Sequence, residues 1–295
     1  MRKKILITGS SGFIGYTFLK DSLNKNYHIV DILRKKNRSN KKLLKLKKMF
    51  PKTYKSIFFS KKEEIAKKLM NKKFDIMINF ATLYKNNHSN SEIPKFIESN
   101  ITFPTIILDS IYKDIKKFIN FGTMMQHLDG KNHVPKNFYA STKSAFEMIS
   151  NYFSITNTKV RYYNLKFYES FSEDDIRNKL IPTIFKNYKK NKITYINSSK
   201  LELNIVHTDD ILKAIYNILD QDIKSGDYCL KNRKNIKIKN LIKSINLKLK
   251  NKIKVKFLEN SSNKPTKSSL KTLPKWKCDM SIQNKIKKKF VNENN

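Results

Sequence analysis

Tyr139 and Lys143 stand four residues apart in "NFYASTKSAFEMISNYF", at the start of a stretch with helical spacing, so their side chains share one face. An ammonium beside a phenol favours the phenolate and draws its pKa down from about 10, which lets a tyrosine trade a proton near neutral pH. Thr123, after a strand-like run ending in "FGT", is expected to set a hydroxyl beside that phenol. Three such groups around one substrate oxygen would hold it while hydride moves at the carbon that bears it. With 14 tyrosines and 62 Lys+Arg in the chain, the spacing alone arises readily by chance. Its weight comes from its order, after a strand ending in Gly-Thr and, further upstream, after a glycine turn.

That turn lies in "KILITGSSGFIGYTFLKDSLN": an apolar run, three glycines three apart, then apolar positions at helical spacing. Gly9 suits a tight turn, Gly12 lets backbone approach a pyrophosphate, and Gly15 brings helix against strand. The helix then aims its free N–H groups and positive dipole end at phosphates. Gly9, Ser11, Gly12, Phe13, Ile14 and Gly15 are therefore the expected cofactor contacts. The choice of dinucleotide is read roughly twenty residues on, at the end of the second strand, here "HIVDILRKKNRS". Asp31 is the one acid in that stretch and lies inside the apolar run, whereas Arg34 follows the expected strand end at Leu33. Guanidinium matches phosphate in charge and geometry, so NADP(H) bound through Arg34 is favoured, with NAD(H) held through Asp31 as the alternative.

Strand-like runs at 4–8, 27–33, 56–59, 75–81 and 117–122 alternate with helical spacing at 13–24, 61–70 and 92–113. Near-continuous apolar strands separated by helices predict a parallel sheet covered on both faces, the doubly wound Rossmann architecture. After about residue 165 the rhythm loosens. "NLKFYESFSEDDIRNKLIP" reads as loop, 192–219 as two short strands and a helix, 231–256 as a basic helix and strand, and the tail from 260 is rich in Ser, Asn, Lys and Pro. The expected organisation is an α/β domain over 1–165 and a smaller α+β substrate-binding lobe over 166–295, interwoven with the first.

The 295 residues are 39% hydrophobic, and no apolar run approaches the roughly 20 residues of a membrane span. The apolar core of "MRKKILITG" is short for a signal peptide, so a cytoplasmic protein is expected. Cys229 and Cys278 have no metal-ligand spacing and suggest no disulfide framework, and no metal is expected. The net charge of +38 would attract polyanions. The lysines, however, are scattered among Asn and Ile along the whole chain, and aromatics do not interleave with them, which argues against nucleic acid as the partner. A basic surface-binding protein on this fold, using "NKKLLKLKKMF" at 40–50, is the reading from a different class.

The chain resembles the extended short-chain dehydrogenase/reductase family of nucleotide-sugar epimerases, dehydratases and reductases. The likeness is carried by "TGSSGFIG", "NFAT" (79–82), "ESNITFPTIIL" with Asn100, "FGT", "YASTK", "RYYN", "NIVHTDDILKAI" and the closing "LPKWKCDMSIQNKI". "QHLDGKNHVPKNFYASTKSAFE" is most similar to the CDP-abequose and CDP-paratose synthase group, reductases of 4-keto-dideoxy sugars. The resemblance implies Tyr139 as general acid/base, Lys143 as the group that lowers its pKa and holds the nicotinamide ribose, and Thr123 as the group that orients the reacting oxygen. It further implies backbone contacts to the cofactor at Ala81, a sugar-nucleotide diphosphate held by Arg177, a structural role for His207 and Asp209, and a homodimer paired through 92–113 and 137–154. The family's dehydratases place an Asp-Glu pair directly after the Thr; Met124 and Met125 stand there instead, which argues against a 4,6-dehydratase. The expected activity is reduction of a 4-keto-deoxy sugar by NADPH in polysaccharide biosynthesis, with an NAD-dependent epimerase as the alternative.

Overall fold

The computed structural model describes residues 3–259, 267–278 and 282–291; positions 260–266 of the polar tail and 279–281 of the Trp276 segment lie outside the described residues. Seven strands form one parallel sheet: β1 (Lys4–Thr8), β2 (His28–Arg34), β3 (Tyr54–Phe59), β4 (Ile76–Asn79), β5 (Lys117–Phe121), β6 (Arg161–Lys166) and β7 (Gly226–Cys229). Their order is β7-β6-β5-β4-β1-β2-β3, so the winding reverses between β1 and β4. A doubly wound sheet opens its ligand crevice at that reversal, beyond the carboxyl ends of the strands. The helices between the strands are α1 (Phe13–Asn24), α2 (Lys41–Met49), α3 (Glu64–Leu69), α4 (Ile93–Ile97), α5 (Phe103–Ile111) and α6 (Phe138–Thr156). In α2, Leu43 and Leu46 are buried and the lysines stay in water.

Two sheet strands are not legible as strands in the sequence. β6 ends in the polar residues Asn164 and Lys166, and β7 is a short edge strand opening on Gly-Asp, so neither shows the apolar run of the first five. The stretch read as loop after residue 164 also contains a short strand, Glu169–Phe171, paired in parallel with Ile205–His207. Between α4 and α5 the helix passes through a π-turn over Glu98–Thr102. Such turns recur at functional sites.

The chain divides into two compact units. The first comprises Met1–Lys166, Ile215–Cys229 and Ser268–Lys271. One helical face of its core joins Leu6, Met77, Ile107, Phe118 and Phe146, all essentially buried. Each such side chain contributes about 1.5–3 kcal/mol on burial. The second unit comprises Phe167–Ala214, Leu230–Lys267 and Thr272–Asn295. It packs helices Leu180–Lys189, Ile238–Asn246 and Ile282–Val291 around Phe171, Ile184, Ile205, Ile242 and Ile286. The boundary differs from a single cut near 165 because β7 must return to the first sheet to pair with β6.

One feature of the sheet is polar. Thr8, Asn79, Asn120, Asn164 and Asp227 occupy facing positions on β1, β4, β5, β6 and β7. Thr8 Oγ1 donates to Asn79 Oδ1 (2.7 Å), Asn79 Nδ2 to Asn120 Oδ1 (3.0 Å), Asn120 Nδ2 to Asn164 Oδ1 (3.1 Å) and Asn164 Nδ2 to Asp227 Oδ1 (2.9 Å). Asn120→Leu would leave an amide N–H of Asn79 and the amide oxygen of Asn164 buried and unpaired. A loss of about 2–4 kcal/mol of unfolding free energy is expected, read as the shift of a urea denaturation midpoint at unchanged slope; an unmoved midpoint would contradict it.

Candidate active site

The glycine turn lies directly after β1. Gly9 has φ +74°, a left-handed conformation that suits glycine, and a Cβ there would fall 2.5 Å from Ala81 N. A Cβ on Gly15 would overlap Gly9 O, so helix, turn and the residues after β4 lie in direct contact. Ala81 N–H donates to Thr8 Oγ1 (3.2 Å), which ties that loop to the turn. α1 starts from Gly12 without a side-chain cap and with no acid in its first turn. Ser11 and Gly12 are exposed and Phe13 and Ile14 half-buried, an arrangement that leaves the positive helix end facing outward. These features fit the diphosphate of a dinucleotide.

Asp31 lies inside β2, facing Ile7 on one neighbour and Ser56 on the other, and is fully buried. Its Oδ2 accepts from Ser10 Oγ and from Tyr54 OH (3.1 Å), and Oδ1 has no partner. Burial pushes its carboxyl up to about 7, against the two hydroxyl bonds. The carboxylate therefore braces the underside of the turn rather than pointing outward. β2 runs one residue further than expected, to Arg34, which is exposed at the strand end with the basic turn Lys35–Ser39 after it. In that turn Arg38 lies over the Phe58 ring at 5.1 Å.

Asn137 caps α6, its Oδ1 accepting from Ala140 N (3.0 Å), and the helix then carries Tyr139 and Lys143 one turn apart. The Tyr139 ring is nearly buried and meets Tyr84 edge-on at 4.9 Å. Lys143 is fully buried; desolvation draws its ammonium down to about 8, and the charge of Glu147, one further turn along, opposes this. Asn100, inside the π-turn, accepts from Leu83 N (2.6 Å) and donates to Thr142 Oγ1 (2.9 Å), linking the loop after β4 to α6.

Thr123 leaves β5 and caps a short turn, its Oγ1 accepting from Met125 N (3.2 Å). Its N–H donates to Gln126 Oε1 (2.9 Å), and Gln126 Nε2 donates to Glu147 Oε2 (2.8 Å). Lys166 Nζ donates to Glu147 Oε1 (2.7 Å). Burial raises the Glu147 carboxyl, and Lys166 holds it against that rise. Gln126, Glu147 and Lys166 are absent from the expected site residues; Glu147, four after Lys143 on the same helical face, carried the one signal that pointed to them.

Arg177 lies in the second unit. Its Nε and Nη2 reach Asp175 Oδ1 (2.9 Å) and Oδ2 (2.7 Å), and Nη2 also donates to Ser170 O (3.0 Å). His207 is buried, with Glu173 Oε2 2.9 Å from Nε2 and Asp209 N–H donating to Nδ1 (3.2 Å). Among the described residues no cluster of three or more His, Cys, Asp or Glu has the arrangement of a metal site, and no helix is long and apolar enough to cross a membrane.

The model of the NAD dependent epimerase/dehydratase family matches residues 5–230, from β1 through β7. The chain belongs to this family. Within it, the chain is 30% identical over 227 residues to a CDP-abequose synthase of Yersinia pseudotuberculosis, covering 76% of this chain and 75% of that protein. It is 22% identical over 301 residues to a CDP-abequose synthase of Salmonella muenchen, covering 98% and 97%. The fold matches that of UDP-glucuronic acid 4-epimerase from Bacillus cereus, solved with UDP-glucuronic acid and NAD, at TM-score 0.80 and 16% identity over 99% of this chain and 100% of that one. It also matches a UDP-N-acetylglucosamine 4-epimerase of Methanobrevibacter ruminantium at TM-score 0.81 and 19% identity over 99% of each chain.

Asp31 generates a pH signature for this site. Between about 4 and about 7 the folded chain keeps a proton that the unfolded chain releases, so stability falls as pH rises through that window. Asp31→Asn removes the buried carboxylate. Its stabilising effect should grow by about 2–4 kcal/mol from pH 4 to pH 8, followed by chemical denaturation at both values; an effect independent of pH would refute the assignment.

Proposed function

We propose that this protein reduces the 4-keto group of a deoxy sugar carried on a nucleoside diphosphate, with NADPH as hydride source, in the cytoplasm and toward polysaccharide synthesis. Support for the cofactor choice comes from β2: Asp31 is turned inward under the glycine turn while Arg34 is exposed at the strand end, where a 2′-phosphate is met. The reduced nicotinamide supplies the hydride when bound. Tyr139 gives its phenolic proton to the developing alkoxide, Lys143 stabilises the phenolate and holds the ribose, and the Thr123 hydroxyl fixes the sugar oxygen. Gly9, Ser11, Gly12, Phe13, Ile14, Gly15 and Ala81 line the dinucleotide, and Arg177, its fork fixed by Asp175, holds the sugar nucleotide's diphosphate.

The identity to CDP-abequose synthases favours a CDP-linked 4-keto-dideoxy sugar as the substrate to try. Met124 and Met125 after Thr123 provide no carboxyl pair for water elimination. With such a sugar, wild type should oxidise added NADPH stoichiometrically, and Tyr139→Phe should lower kcat by about 10²–10⁴-fold while NADPH still binds. In calorimetry, Arg34→Ala should weaken NADPH by about tenfold or more and leave NADH unchanged. Turnover without added cofactor, or NADH preferred by wild type, would instead favour the epimerase.

We also propose a homodimer. Met148, Tyr152 and Ile155 lie on one face of α6 at helical spacing and are 61%, 61% and 76% exposed, an apolar stripe of the kind that marks an association surface. Sedimentation should give a dimer, with Tyr152→Glu shifting it to monomer; a wild-type monomer at micromolar concentration would end this reading.

A further inference from the structure

We infer that Gln126, Glu147 and Lys166 form a positioning device that holds Thr123 against the reacting oxygen, an inference that rests on the reductase reading above. A hydroxyl that orients a substrate oxygen works only if its backbone is fixed to within a fraction of an ångström. Thr123 lies two residues beyond the end of β5 and begins a short turn; the N–H of Gly122 still donates to Leu165 O across the sheet, but no sheet bond fixes that of Thr123. That N–H is held by the side chain of Gln126 instead.

The polarity of each bond dictates the next. A backbone N–H can face only the oxygen of the Gln126 amide, which directs the amide nitrogen at Glu147. The carboxylate is held in turn by Lys166 Nζ, at the end of β6, which also lies 3.0 Å from His127 Nε2 and 3.6 Å from Asp227 Oδ2. Gln126, Glu147 and Lys166 are at most 1% exposed. The backbone before Thr123 is shaped to this device, since a Cβ on Gly122 would fall 2.6 Å from Gln126 Oε1 and 2.9 Å from Lys166 Cγ. A buried ion pair gains little stability over apolar side chains of the same volume. What this one supplies is a connection: it joins the turn bearing Thr123 to α6, which bears Tyr139 and Lys143 on the same face as Glu147.

The order of donors and acceptors also gives a test by exchange. In Gln126→Glu/Glu147→Gln the carboxylate at 126 accepts from Thr123 N–H and from the new amide at 147, whose oxygen accepts from Lys166; every bond and the net charge are kept. Each single variant breaks the chain of bonds. We expect each to lower kcat by about tenfold or more at nearly unchanged KM for NADPH, and to lose amide-exchange protection at Thr123. The double variant should restore both to within a few-fold. Where a single variant does not fold, Gln126→Met removes both bonds without burying a charge and should show the same two losses. Single variants with normal kcat and protected Thr123, or a stable double variant that restores neither, would overturn the inference. Exchange at Thr123 needs no substrate, so it decides the positioning even if a keto-sugar proves not to be turned over, an outcome that would count against the reductase reading alone.

Discussion

The molecule depends on a row of side-chain hydrogen bonds laid across its sheet, from Thr8 through Asn79, Asn120 and Asn164 to Asp227. A parallel sheet covered on both faces is an apolar environment, and polar groups persist there only when each is paired. Sliding any one of these strands by one residue would turn its amide to the opposite face and strand two partners. The row therefore fixes the register of five strands at once. Register in turn places function: Gly9 follows Thr8 directly, Ala81 hangs from the Thr8 hydroxyl, and Thr123 lies three residues beyond Asn120.

Around that row the first unit buries several charges, and treats each differently. Asp31 carries its charge against two hydroxyls with no cation beside it, so the proton returns to it readily. Lys143 loses affinity for its proton because nothing as close as a direct partner compensates its desolvation beyond the field of Glu147. Glu147 and Lys166 offset one another by direct contact. Stability alone would be served by apolar residues at all of these places. Their common feature is contact with, or proximity along the chain to, the turns and the helix from which chemistry is proposed.

The large positive charge is handled locally. Lys3 and Lys117 donate to carbonyls at the end of the helix Thr208–Asp220, among them Leu219 O and Gln221 O, where cations complement the helix dipole and satisfy acceptors that the helix leaves open. The lysines of α2 remain in solvent around two buried leucines. A lysine-rich composition is thus accommodated at helix ends and on outer faces, consistent with an unselective excess of cations rather than one basic surface.

Local patterns in the sequence determined the first five strands, α1 between its glycine turn and Asn24, and the placement of Tyr139 and Lys143 one turn apart on α6, because apolar periodicity and i,i+4 spacing act over a few residues. They also made Arg34 the exposed cation after β2, with the strand end misplaced by one residue. Tertiary structure alone decided the rest. β6 and β7 lack the apolar run of the other five and are recognised as strands through the neighbours that pair with them. Asp31 faces inward because Ser10 and Tyr54 meet it from other segments. Thr123 is tied to α6 through Gln126, Glu147 and Lys166, contacts between residues up to 21 positions apart in the chain along this path. Hydrogen bonds of that kind leave no period in the sequence, since their geometry exists only once the strands have found their register.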